Sequence, residues 1–260
     1  MARDLIERAA GIVEQAAGGA TALPAGSRVG TLALLRHGES EWNRAGRCTG
    51  WADVGLTAAG EAEAARAGRV LRECGYVFDR CFTSGLRRAI RSGEIVLRTM
   101  GLEHIAVEQS WRLNERHYGA LQGLGPWSAV RRFGVLPVLR ARRRYDYRPP
   151  ALEADDARLP GSQHEAGASG EAVPRTESLA DLRARLVPFW RERIAPELER
   201  GRSVLVVSHK HTLRVLFAVL TGRDGTTSSL RVSTGLPIVL TLDHALVVTE
   251  HRVIQLPTRR

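Results

Sequence analysis

Two short apolar runs in this chain stop abruptly at a polar residue followed by histidine. Residues 31–35 end at Arg36-His37-Gly38, and residues 204–207 end at Ser208-His209. Continuous apolar runs of this length, with polar ends, are the pattern of strands buried on both faces of a parallel sheet. Between them the period changes. From Thr57, with Glu61 close behind, Ala64, Ala67, Val70 and Leu71 recur at helical spacing until Cys74-Gly75,. Residues 78–83 predict a further strand, and residues 86–100 a helix with Ile90, Val96 and Leu97 on one face,. Another helix is predicted over 177–198. Residues 236–242 and 246–253 read as two strands joined by Asp243-His244-Ala245, a hairpin at one sheet edge,.

This alternation predicts an α/β fold, a three-layer sandwich whose mostly parallel central sheet is flanked by helices. Residues 145–174 are rich in Pro, Gly, Ala and charge and lack periodicity, so they predict a long surface excursion or lid outside the core,. Residues 4–17 space Leu5, Ile6, Ala9, Ile12, Val13 and Ala16 helically ahead of a Gly- and Pro-containing linker,. The expected organisation is an N-terminal appendage and linker over 1–28 and one domain over 29–256, without internal repeats.

Composition narrows the setting. No apolar run is long enough to cross a bilayer, and Asp4, Glu7, Arg8 and Glu14 interrupt the stretch where a secretory signal would need its apolar region,. The three cysteines, Cys48, Cys74 and Cys81, have neither zinc-site spacing nor the density of a disulfide framework, so a cytoplasmic setting is expected,. The formal charge of +10 is carried almost entirely by arginine, which favours phosphate and carboxylate partners,. A nonenzymatic nucleic-acid binder is the alternative this charge brings in, with Arg140, Arg142, Arg143 and Arg144 as its densest cluster. It ranks below catalysis, because aromatic residues are only 5% of the chain and no nucleic-acid motif accompanies the arginines,.

In open α/β sheets ligands bind beyond the carboxyl ends of the strands, where both histidines stand. A strand-terminal histidine is more often a packing residue than a catalyst, but arginine neighbours change the reading. A neutral imidazole can attack phosphorus, and guanidinium groups hold the phosphohistidine that forms. Arg36 adjoins His37, and Arg88 lies in the second strand-to-helix connection. A proton donor for the leaving oxygen is also required. A carboxyl group held near anions can have its pKa raised for that task, and Glu115 is the candidate. Spacing alone leaves open the commoner alternative, a salt bridge from Glu115 to Arg112 or Arg116.

The string Arg36-His37-Gly38-Glu39-Ser40-Glu41-Trp42-Asn43, followed by Thr49-Gly50-Trp51, resembles the signature of cofactor-dependent phosphoglycerate mutases. The similarity continues through Phe82-Thr83-Ser84 with Arg87 to Arg91, through 111–123, Arg142-Arg143, Thr176-Glu177-Ser178-Leu179 and Thr234 to Pro237, covering about residues 32–242. The resemblance implies the histidine phosphatase fold and a ping-pong exchange. In it phospho-His37 donates to a monophosphoglycerate, giving 2,3-bisphosphoglycerate, and then regains the other phosphoryl group, with no metal. By the same carry-over Arg36, Arg88 and His209 stabilise the transferring group and Glu115 shuttles the proton. Gly38, Ser40, Asn43, Thr49, Gly50, Arg116, His117, Tyr118, Arg142 and Arg143 hold the substrate. Family members often assemble as dimers, which brings a homodimer into view.

Two departures bear on substrate. The family normally follows its second histidine with Gly-Asn, whereas Lys210-His211 stands here, and its substrate-binding lysine shortly after Gly123 is replaced by Pro126. A lysine at 210 either supplies the lost cationic contact or fills space a bisphosphorylated ligand needs. A histidine phosphatase or a specialised mutase paralogue using the same His37 is therefore the enzymatic alternative. A member that binds a phosphorylated ligand without turnover is a third.

Overall fold

The computed structural model describes residues 30–153, 155–156, 173–223 and 230–255. The appendage expected over 1–28 and the middle of the expected excursion lie outside these residues. Among them the sheet has six strands: β1 (Leu32–Arg36), β2 (Arg80–Ser84), β3 (Ala106–Ser110), β4 (Val204–Ser208), β5 (Pro237–Leu242) and β6 (Val248–Val253). Their order is β3-β2-β4-β1-β5-β6. The first four are parallel, and β5 and β6 complete the sheet antiparallel. The hairpin turn between β5 and β6 is organised by Asp243, whose carboxylate accepts from the backbone N–H of Ala245 and Val247,.

Alternation along the central strands divides the core between two faces. Leu32, Leu34, Val204 and Val206 meet α6 (Leu179–Phe189), α7 (Ala195–Glu199) and α8 (Lys210–Leu220). Ala33, Leu35, Leu205 and Val207 meet α2 (Ala58–Glu73) and α3 (Arg87–Met100). Both faces of β1 and β4 are thus covered, which accounts for their unbroken apolar runs. Thr57 caps α2 by accepting from Gly60 N–H, and Gly101 ends α3 in the left-handed conformation,.

The helix expected over 177–198 is a helical run with an interruption. Pro188 lacks the N–H that would bond back along α6, and a π turn over Trp190–Ile194 separates it from α7,. Two elements without a sequence signal, α4 (Pro126–Phe133) and α5 (Val135–Arg143), cover a satellite apolar cluster built on Leu121, Ala129, Val138 and Ala141. The expected excursion is not wholly peripheral: Leu152 is buried, and Pro150 O accepts from Ala120 N–H.

The loop that leaves β1 is held by a mutual close approach. A Cβ on Gly38 would lie 2.1 Å from Gly60 O, and one on Gly60 would lie 2.1 Å from Glu39 O. Gly60→Ala is therefore expected to destabilise the fold by about 1–3 kcal/mol through overpacking. Gly55→Ala, whose Cβ would meet only Glu41 Oε1 at 3.9 Å, is expected to stay within about 0.5 kcal/mol. Urea unfolding midpoints of the two variants check this.

Candidate active site

Strand register brings the two histidines together. Arg36 pairs with Ser208 in the parallel β1–β4 ladder, so the residues that follow, His37 and His209, leave adjacent strands at the same level. His37 N–H donates to Ser208 O at 3.1 Å, and the two imidazoles lie 4.9 Å apart between centroids. His209 caps α8 and is fully buried, with Nε2 at 2.7 Å from Ser84 Oγ at the end of β2.

His37 Nδ1 stands 2.7 Å from Gly38 O, a carbonyl that can only accept,. Nδ1 therefore carries the proton, and Nε2 of the neutral ring keeps a free lone pair. Burial, then the charges of Arg88 and Arg36, hold the His37 imidazole well below its ordinary pKa,. Burial and Arg88 act likewise on His209. Arg88 is itself buried and is fixed by the carbonyls of Gly50 and Ala52 at 2.7 and 2.9 Å. Its Nε, Arg36 Nε and Thr49 Oγ1 are buried without a hydrogen-bond partner. All three residues line the cavity on which His37 opens, so each brings an unused hydrogen-bonding atom to its wall, as an anion site requires,.

His37 opens on a cavity of about 500 Å³. Among the described residues that line it are six cationic side chains, Arg36, Arg47, Arg88, Arg142, Lys210 and Arg214, and one acid, Glu115. Asn43, Thr49, Gly50 and Tyr118 complete the polar wall, and Leu121, Leu124, Pro126, Ala129 and Val138 form an apolar side. No group of three His, Cys, Asp or Glu among the described residues is placed to hold a metal ion.

Glu115 lies on a segment without regular structure, fixed from behind. Its carbonyl accepts from Trp51 Nε1 at 2.6 Å and from Arg185 at 2.9 Å. Its carboxylate accepts from Arg116 N–H at 2.9 Å, so neither candidate salt bridge, to Arg112 or to the Arg116 guanidinium, forms. His211 Nδ1 lies 3.5 Å from Oε1, an ion pair whenever that ring is protonated. Burial alone would raise the pKa of this carboxyl. His211, the Arg116 N–H and Arg36 outweigh burial and bring it to about 2,. The shift thus runs opposite to the raised value expected from nearby anions. A phosphoryl group drawn to Arg36 and Arg88 would push it back up.

The remaining predicted residues sit around the cavity or behind it. Arg36, His37, Asn43, Thr49, Gly50, Arg88, Glu115, Tyr118 and Arg142 line it. His209 lies behind His37, and Gly38 serves the close approach to Gly60. Ser40 is buried as the cap of α1 (Glu41–Arg44), in a capping box with Asn43. Arg116 is buried with its guanidinium on the carbonyls of Glu177, Ala141 and Tyr147. His117 is buried against the Trp51 ring, and Arg143 is exposed on α5, outside the lining. Arg47 and Arg214 line the cavity without having been predicted. Arg214 stands four residues after Lys210, one turn along α8, a pattern legible only once that helix is recognised,.

The family model of the histidine phosphatase superfamily, branch 1, matches residues 32–158 and 154–246, and the chain belongs to that superfamily. Two relatives of the chain are named as mutases. A 2,3-bisphosphoglycerate-dependent phosphoglycerate mutase 1 of Nitrosomonas europaea is 44% identical over 218 residues, 83% of this chain and 93% of that protein. A 2,3-bisphosphoglycerate-dependent phosphoglycerate mutase of Nitratidesulfovibrio vulgaris is 47% identical over 224 residues, 85% of this chain and 90% of that protein. The α-ribazole phosphatase of Shigella flexneri superposes with a TM-score of 0.62 at 23% identity, covering 86% of this chain and 95% of its own. A phosphoglycerate mutase of Bacillus anthracis gives 0.60 at 21% identity, covering 88% and 93%. At these identities the structures share the fold.

The buried neutral histidines make stability depend on pH. Below their unfolded value near 6.5 the unfolded chain binds protons that the folded chain does not, so stability is lost as pH falls through that value,. Glu115 adds a loss only lower, between its ordinary 4.5 and about 2. The melting temperature is expected to fall from about pH 7 to about pH 5, and His209→Gln to flatten that fall, as thermal melts across this range would show.

Proposed function

We propose that this protein interconverts 3-phosphoglycerate and 2-phosphoglycerate through phospho-His37 and 2,3-bisphosphoglycerate. One observation carries the proposal: a buried, neutral His37 with Nε2 free, flanked by Arg36 and Arg88, opens on a cationic cavity whose sole acid among the described lining residues is Glu115. The names of the relatives at 44% and 47% identity support it. A cavity of about 500 Å³ also suits a metabolite, where a nucleic-acid binder needs an extended basic surface,.

In the first half-reaction the hydroxyl oxygen of a monophosphoglycerate attacks the phosphorus of phospho-His37. The N–P bond breaks, its electron pair returns to Nε2, and Glu115, a carboxylate, takes the hydroxyl proton. In the second half Nε2 attacks the other phosphoryl group, and Glu115 returns the proton to the leaving oxygen. Arg36 and Arg88, with His209 behind, hold the charge of the transferring group. The unpartnered buried Arg36 Nε, Arg88 Nε and Thr49 Oγ1 fit a phosphoryl group, so with Asn43 these residues would hold one end of 2,3-bisphosphoglycerate. Arg142, Lys210 and Arg214 would hold the other, anionic end. We place this reaction in the cytoplasm; among the described residues no helix is long and apolar enough to cross a membrane.

Lys210 and Pro126 line the same cavity, which favours compensation for the missing lysine and keeps a phosphatase or a paralogous mutase as the second reading. With 3-phosphoglycerate and catalytic 2,3-bisphosphoglycerate, 2-phosphoglycerate formation is expected, and His37→Ala is expected to abolish it. Phosphate release without isomerisation would instead make the protein a phosphatase. Lys210→Ala is expected to raise KM about tenfold through loss of one charge-assisted contact. An unchanged KM and kcat would show that Lys210 carries no part of substrate binding.

A further inference from the structure

His211 is the second residue of α8 and stands where a neutral amide would have no charge to lose. Its Nδ1 lies 2.9 Å from Tyr118 Oη and 3.5 Å from Glu115 Oε1, and its backbone N–H lies 3.5 Å from Glu115 Oε2. The Tyr118 and His211 rings meet edge-on at 5.9 Å. Three titratable groups from two segments of the chain thus form one contact cluster on the wall of the cavity that His37 opens on.

Burial holds Tyr118 in its phenol form,. A hydroxyl both donates and accepts, so it can donate to Nδ1 of a neutral imidazole or accept from Nδ1–H of the cation. Both charge states of His211 are therefore satisfied with the ring in one place. Glu115 is not indifferent to them. Next to the cation it is the anionic half of an ion pair; next to the neutral ring it loses that partner and keeps the Arg116 N–H, the His211 backbone N–H and the charges of the surrounding arginines. Lys210 and Arg214 on the same helix, Arg142 on α5 and Arg36 at the end of β1 line the same cavity, and all four are cationic.

We propose that His211 is a positioning residue for Glu115: its Nδ1 and its backbone N–H, each 3.5 Å from a carboxylate oxygen, hold Glu115 in place, and a proton on the His211 ring makes Glu115 a weaker base, so that the half-reaction in which Glu115 takes up the hydroxyl proton slows. The proposal rests on Glu115 acting as the proton shuttle. The balance is complete within the cluster: the proton that charges His211 comes from solvent, and the proton of the substrate hydroxyl still goes to Glu115.

The test has an arm that needs no turnover. Protein labelled with ¹³C at the glutamate carboxyl is titrated by NMR as wild type, His211→Asn and His211→Gln, with the Glu115 signal identified by its loss in Glu115→Gln. Across the pH range in which circular dichroism shows all three proteins folded, the Glu115 signal of the wild type is expected to shift as the His211 ring gains its proton, and both variants are expected to lack that shift. Identical Glu115 titrations in all three proteins overturn the proposal. In the second arm, kcat/KM for 2-phosphoglycerate formation is followed against pH. The acid limb is expected to extend to lower pH in both variants, and an unmoved limb in active enzymes also overturns the proposal. If the NMR coupling is present and no protein forms 2-phosphoglycerate, the mutase reading fails while the control of Glu115 by His211 stands.

Discussion

The active-site segment depends on one buried ion pair. Arg185, on α6, meets both carboxylate oxygens of Glu177 at 2.7 and 3.0 Å, and the side chains are 6% and 4% exposed. The guanidinium also donates to the carbonyls of Trp111, Arg112, Asn114 and Glu115. Glu177 in turn accepts from His117 N–H. A segment that forms neither a long helix nor a strand has few partners of its own for its buried carbonyls, and here one planar, five-donor group satisfies them together. Lysine has no such fork. Removing either partner would leave a buried charge unmatched, a loss of ~3–5 kcal/mol. Glu115 keeps its place because this clamp holds its backbone from one side while Trp51 holds it from another.

A second layer of buried arginine links the site to the elements above it. Arg116 joins Glu177, Ala141 at the end of α5, and Tyr147 through three carbonyls. The cover formed by α4 and α5 is thereby tied to the same residue that anchors Arg185. The net charge of the chain is thus not only a property of its surface. Arg88, Arg116 and Arg185 are buried and bonded to carbonyls, and their charges are felt by the groups that carry out the chemistry.

The parts of the fold legible in sequence were those whose burial is symmetric or regular. The runs before His37 and His209 are covered on both faces and read directly as central strands, and the alanine-rich α2 and the α3 face read by period. β3 is an edge strand with only Ser110 buried, so it has no apolar run to detect. α4 and α5 are short, basic and divided at Gly134, too brief for a helical period to stand out, and α8 follows directly on a strand with seven of its eleven residues buried, so it shows little polar face. The histidines and the Glu115 segment were legible as motifs. The clamp was not, because Arg185 acts about 70 residues away in the chain on carbonyls that any residue type could supply. Nor was the Glu115 ionisation legible, since its partner His211 lies 96 residues away.

The uneven charge of the cavity wall has a kinetic side. Six cations around one carboxylate make a potential well that draws anions in from solution and slows their escape,. Mobile ions shorten the reach of that well to about 8 Å at physiological ionic strength, so the cations deepest in the cavity, Arg36 and Arg88, keep their hold when those at the mouth are screened. Salt would thus govern how fast an anion arrives more than how firmly it is held once seated. The residence time of a multiply charged ligand is set by the interior of the well, and its capture rate by the rim.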